Sequence, residues 1–353
     1  MIMKSTNHTY RFNCCFLLAT ACLMISDLAL AQIQDDPILY TQTHRWASST
    51  RADSTSILRI TIHDGDRNTF ITDGNRDHKP IWSKEGDKIT FFRAIGETDD
   101  KPFHLYRTHI CVVNSDGSGF KELTDAMNPN VNPTWTRDGS NMIIFTRLAK
   151  SQFGKARAFM ISPDAALNDT ILISDPDHFE WAESGLKDGR IFMFRMSRIK
   201  YVLNYILPFT WPKSQSYYLV DPKTQTHFKI KRANKFPTHK LSVSPSETKV
   251  VYMKDLDGKL HTYNDAVIAY AEFDLENLEV KNEVVISQKD KGHIDMYPRW
   301  SPDERYIMYS SSRGGNMWDM KQYIYDLHTG ETHVLPLGDL ILDMYPCFEN
   351  LPK

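Results

Sequence analysis

The chain has 353 residues and a formal charge of −2, with 42 Lys and Arg against 44 Asp and Glu, and 41% of its residues are hydrophobic. That apolar content supports a sizeable core, while the near balance of charge removes any electrostatic case for nucleic acid or anionic lipid. Five cysteines in such a length exclude a disulfide scaffold.

In chain order, residues 1–31 read as a secretory signal peptide. Lys4 and Arg11 form a basic start, Cys14 to Leu30 is mostly apolar, and Ala29-Leu-Ala31 is a small-x-small cleavage site. Cleavage before Gln32 predicts a periplasmic or secreted protein of residues 32–353, with no later segment long and apolar enough to span a bilayer. Lipoprotein processing at Cys22, after Ala19-Thr-Ala, is the alternative. Of the remaining cysteines, Cys111 and Cys347 lie in apolar strand-like runs and read as buried thiols rather than as a bridge.

The first strand-like run, Ile38-Leu-Tyr-Thr41, is followed by Ile57-Leu-Arg-Ile-Thr-Ile62 and the turn Asp64-Gly-Asp66. A repeated phrase then begins. It reads Pro80-Ile-Trp82-Ser-Lys-Glu-Gly86, returns as Pro133-Thr-Trp135-Thr-Arg-Asp-Gly139, and again as Pro298-Arg-Trp300-Ser-Pro-Asp303. Each copy leads through a tight turn into a β-rich run: Ile89 to Phe92, Met142 to Phe145, Tyr306 to Tyr309. Degenerate copies stand at Phe179-Glu-Trp181 and Leu241-Ser-Val243. A sixth start, Asp343-Met-Tyr-Pro-Cys-Phe348, echoes Asp295-Met-Tyr-Pro-Arg-Trp300 but has no second strand after it. Ile38-Leu-Tyr-Thr41, which has no such phrase before it, supplies the missing partner. Repeats that complete each other across the chain ends predict an all-β, six-bladed β-propeller with circular closure between the N- and C-terminal strands. The recurrent Trp is expected as a core plug between neighbouring blades.

The run Cys111-Val-Val-Asn-Ser-Asp-Gly-Ser-Gly-Phe120, with Leu123-Thr124 and Pro133-Thr-Trp135-Thr-Arg-Asp-Gly139, resembles the WD40-like PD40 repeat of TolB-like six-bladed propellers. The resemblance covers 32–353 and is to the propeller part alone, without the α/β domain that precedes it in TolB. It implies a periplasmic location and leaves function open, since the fold hosts scaffolds, sensors and enzyme accessory domains.

In such blades the short Asp-Gly turns share one face, and the long loops with the blade connections share the other, where recognition is expected. Two features stand out there. The connections into the innermost strands bring Asp77, His78, Asn130, His178, His239, His293, Asp295 and Asp343 towards the channel mouth. These are either local turn caps or ligands of a divalent cation. The fourth blade carries an aromatic insertion with Arg198, Tyr201, Tyr205, Phe209 and Trp211, a composition suited to a protein partner. No Gly-x-Ser-x-Gly elbow, His-Glu-x-x-His, phosphate loop or paired-Cys motif occurs. The reading is therefore a non-enzymatic scaffold without cofactor. The alternative is a metal-dependent propeller lyase or hydrolase acting on a saccharide or peptide at the channel mouth.

Overall fold

The computed structural model describes residues 38–44, 54–60, 68–70, 72, 77–95, 107–149, 156–175, 178–197, 216–232, 238–256, 266–287, 294–313, 320–335 and 344–348. The signal segment, the fourth-blade insertion, His293 and Asp343 lie outside them. Among the described residues there is no helix, and the strands fall into antiparallel sheets that follow chain order.

Strands β1 (Ile38–His44), β2 (Ser54–Ile60) and β3 (Asn68–Phe70) open the chain. Four sheets follow: β4 (Asp77–Trp82) to β7 (Lys121–Glu122) by way of β5 (Lys88–Ile95) and β6 (Arg107–Asn114); β8 (Asn130–Trp135), β9 (Ile143–Leu148), β10 (Ala156–Ile161) and β11 (Thr170–Leu172); β12 (His178–Gly185), β13 (Ile191–Ser197), β14 (Ser216–Asp221) and β15 (Thr226–Lys229); and, after β16 (Lys231–Arg232), β17 (Thr238–Val243), β18 (Lys249–Asp255), β19 (Ala266–Asp274) and β20 (Glu279–Val285). Strands β21 (Asp295–Trp300), β22 (Tyr306–Ser311), β23 (Lys321–Asp326) and β24 (Thr332–Val334) form the next, and β25 (Met344–Phe348) ends the series. Strand β25 pairs with β1, matching Phe348 with Ile38 and Cys347 with Leu39, so the chain-end fragments complete one sheet. The fold is an all-β propeller. Five of its sheets are described with their side chains, and the sheet joining the chain ends by its backbone pairing alone. One pairing is unexpected: β16 runs parallel to β20 and ties the end of one sheet to the outer edge of the next.

The sheets are held face to face. Phe92, Ile110 and Val112 of one sheet pack with Val131, Trp135, Ile143 and Phe145 of the next. Phe192, Tyr217 and Leu219 likewise meet Val243, Val250 and Phe273. The repeated Trp plugs these seams: Trp135 Nε1 donates to Ile81 O at 3.0 Å, and Trp300 Nε1 to Ser242 O at 3.1 Å, each across a sheet boundary. The short turns follow their sequence. Gly86, Gly139 and Gly189 take positive φ, and Asp138 and Asp188 each accept the N–H two residues on. Cys111 is a buried free thiol, its pKa pushed up by burial. The side chain of Cys347 lies outside the described residues.

Proline shapes the innermost strands. Pro80, Pro133 and Pro298 lack the N–H a ladder needs, and the pairing slips beside each of them. The residue before each proline lies in the left-handed region, with φ of 54° at Lys79, 59° at Asn132 and 57° at Tyr297. Lys240, at the same repeat position, has φ 53° beside its own slip. In β12 the slip falls between Ala182 and Ser184, at Glu183. One bulge therefore recurs in every described inner strand, as bulges do where a strand must re-aim side chains.

Candidate functional site

At the start of the inner strands, the predicted channel-mouth residues are committed inside their own blades. Both carboxylate oxygens of Asp77, which is fully buried, accept from Arg93 opposite it on β5, at 2.7 and 3.0 Å. Asn130 Oδ1 accepts from Arg147 Nε at 2.8 Å, while its amide donates to the carbonyls of Thr108, Asp125 and Asn128. Glu180 pairs with Arg195, and Asp295 lies 3.9 Å from the Arg313 guanidinium. Each arginine also faces a ring: Arg93 over Phe120 at 4.4 Å, Arg147 over Phe159 at 4.6 Å, Arg195 over Tyr218 at 4.3 Å and Arg313 over Tyr323 at 4.9 Å. An acid or amide, an arginine and an aromatic ring thus recur as a unit in four blades. The fifth described blade substitutes Lys254 with Glu283.

The histidines have local roles as well. His78 stacks on Phe92 at 5.1 Å, and His178 Nδ1 lies 3.0 Å from Asp175 Oδ2. His239 is described by its backbone alone, on β17. Asp77 and Asn130 do not fit a shared divalent-cation site, because guanidinium groups occupy their oxygens. Among the described residues no group of three or more His, Cys, Asp and Glu is placed to hold a metal ion.

Sequence reasoning singled out the acids and missed the arginines. Their signal was present in four repeats as a cation near the end of the second strand: Phe92-Arg93, Thr146-Arg147, Phe194-Arg195, Met253-Lys254.

The described cavity lies at the other end of the inner strands. It has a volume of about 350 Å³ and is lined by the last residues of β4, β8, β12, β17 and β21 with the short turns that follow them. Lys84, Arg137, Lys187 and Arg299 contribute to its wall, and Glu183 is the acid among its described lining residues. Burial raises the Glu183 pKa against the opposing pull of Lys240, Lys79 and Arg299. Burial likewise lowers the Lys240 pKa, with Glu183 opposing. The Lys240 ammonium lies 5.0 Å from the Trp181 ring and 5.8 Å from that of Tyr297. Arg137 reaches across to the carbonyls of Val243 and Ser244, at 3.4 and 3.0 Å. The bulge residues and the turn cations meet around this channel, which the sequence analysis had left to the structural face.

No known family model matches the chain, and no curated protein does. Solved structures do. TolB from Acinetobacter baumannii superposes with a TM-score of 0.63 at 13% identity, over 90% of this chain and 67% of that one. Kuenenia stuttgartiensis hydrazine synthase gives 0.64 at 14%, over 91% of this chain and 48% of that one, so this chain spans about half of that protein. A chain of the nidogen/laminin complex gives 0.57 at 7%, over 90% of this chain and 100% of its own length. At these identities the likeness is one of fold.

Proposed function

We propose that the chain is an exported, non-enzymatic, TolB-like six-bladed propeller that acts as a protein-binding scaffold through its long-loop face. Residues 1–31 serve as the signal peptide and 32–353 as the propeller, its ring closed by β25 against β1. The adjacency of the inner strands, from β4 round to β21 and through β25 back to β4, supports six blades.

The observation that carries the scaffold reading is the commitment of Asp77, Asn130 and Glu180 to arginines within their blades. Groups so paired stiffen the blade ends instead of serving as acids, bases or ligands, which makes the metal-dependent enzyme the weaker reading. A rigid ring leaves recognition to the loops it displays. The insertion between β13 and β14 springs from that face, since Ser197 pairs with His178 and Ser216 with Arg195. Tyr201, Tyr205, Phe209 and Trp211 are the proposed anchors, flanked by Arg198. Fold relatives are compatible with this: one is part of a complex between nidogen and laminin.

The test is a crosslinking pull-down from the native host, comparing the intact protein with one carrying a Gly/Ser linker in place of residues 201–212. A defined partner, lost with the insertion, is the expected result. Capture of the same partner by both forms contradicts the reading.

A further inference from the structure

We infer that the short-turn end of the central channel is a binding site for a small multivalent anion of the carboxylate or phosphate type. The inference is independent of the loop-face reading, because the site lies at the opposite end of the inner strands.

The charge arrangement carries it. Among the described residues, four cations, Lys84, Arg137, Lys187 and Arg299, share the wall of a cavity of about 350 Å³ with one acid, Glu183. Lys79 of β4 and Lys240 of β17 add their fields at Glu183. Glu247 and Glu304 offset part of the Arg137 charge from outside the cavity wall, where the Lys187 N–H and the Ser246 hydroxyl hold them at 2.6 and 2.8 Å. Arg137 itself donates to the neutral carbonyls of Val243 and Ser244. Cations confined in a low-dielectric channel repel one another, and a positive excess there raises the local concentration of anions. A metal cation is disfavoured by the same field.

The volume lies at the small end of the ~300–1,000 Å³ range of ligand pockets, which suits a compact anion rather than a polymer segment.

The experiment is calorimetric titration of the full chain at low ionic strength near neutral pH, with citrate, inorganic phosphate and sulfate as probes. The expected result is one site for at least one probe. Arg299→Gln should weaken it by about tenfold, the effect of losing one charge-assisted hydrogen bond. Glu183→Gln should tighten it, because it removes the opposing charge. A merely structural role for these residues would not move affinity in opposite directions. Citrate binding tighter than phosphate assigns the site to carboxylates, and the reverse order assigns it to phosphates. Absence of binding by all three probes overturns the proposal, as does loss of affinity in Glu183→Gln. If Arg299→Gln does not melt cooperatively, the exposed pair Lys84→Gln and Lys187→Gln takes its place with the same expected direction.

Discussion

Arg93 shows how one side chain can stiffen a blade. Its guanidinium bridges both oxygens of the buried Asp77 and lies over the Phe120 ring, so charge, hydrogen bonding and packing are satisfied together. Removing one partner strands the other in a dry site. Arg93→Met is therefore expected to cost about 3 kcal/mol or more in urea unfolding. The double variant Arg93→Met with Asp77→Leu should recover much of that loss, because no unpaired charge remains. A loss in the double variant equal to the sum of the Arg93→Met and Asp77→Leu losses would show that the pair is not coupled. Asp326 gives a pH signature. Burial alone would raise its pKa, but hydrogen bonds from Arg305 and the His328 N–H outweigh it and hold the carboxyl below its usual value. A carboxyl with a lowered folded pKa contributes stability above its unfolded pKa, and that contribution fades as pH falls through the folded one. The stability difference between wild type and Asp326→Asn should thus be largest near neutrality and shrink below about pH 4. A difference that stays constant with pH would count against this. At this scale Trp135 and Trp300 were legible in the sequence, since a Trp at a fixed repeat position has to fill a seam. The arginine partners were not, because the facing of Asp77 and Arg93 depends on a register that only the folded hairpin defines.

Among the elements, the inner strands depart most from regular geometry. The prolines of the repeated phrase stood in plain view, yet the bulge beside them, with Lys79, Asn132 and Tyr297 in the left-handed region, needed the paired strand to be seen. Strand β12 lacks that proline and makes its close approach another way. A Cβ on Gly185 would lie 2.9 Å from both Thr136 Cα and Trp135 O, which are backbone atoms with little room to yield. Gly185→Ala should then destabilise the fold by about 1–3 kcal/mol, the usual effect of overpacking, and lower the melting temperature. An unchanged melting temperature would mean that the seam between β8 and β12 is looser than this packing requires. The parallel pairing of β16 with β20 had no sequence signal, since Lys231-Arg232 carries neither alternation nor a turn residue to mark it.

Across the whole molecule, the propeller was legible because its repeat is written in residues that perform the same task in each copy: Trp in the seam, Asp and Gly in the turn, a β-rich run behind. The pairing of β1 with β25 follows from two fragments that lack their own complements. Ending the chain at residue 343 removes β25 and leaves β1 without its inner neighbour. That truncation should abolish cooperative unfolding, whereas a two-state melt like that of the intact chain would refute closure. The working surface was less legible: the turns that looked purely structural frame a cation-lined cavity, and the acids that looked functional are held in their blades. The most direct test of the scaffold reading is to map crosslinks between the captured partner and this chain by mass spectrometry. The account predicts crosslinks at Lys200 and Lys213, which flank the insertion. Crosslinks concentrated at Lys84 and Lys187, on the short-turn side, would contradict it.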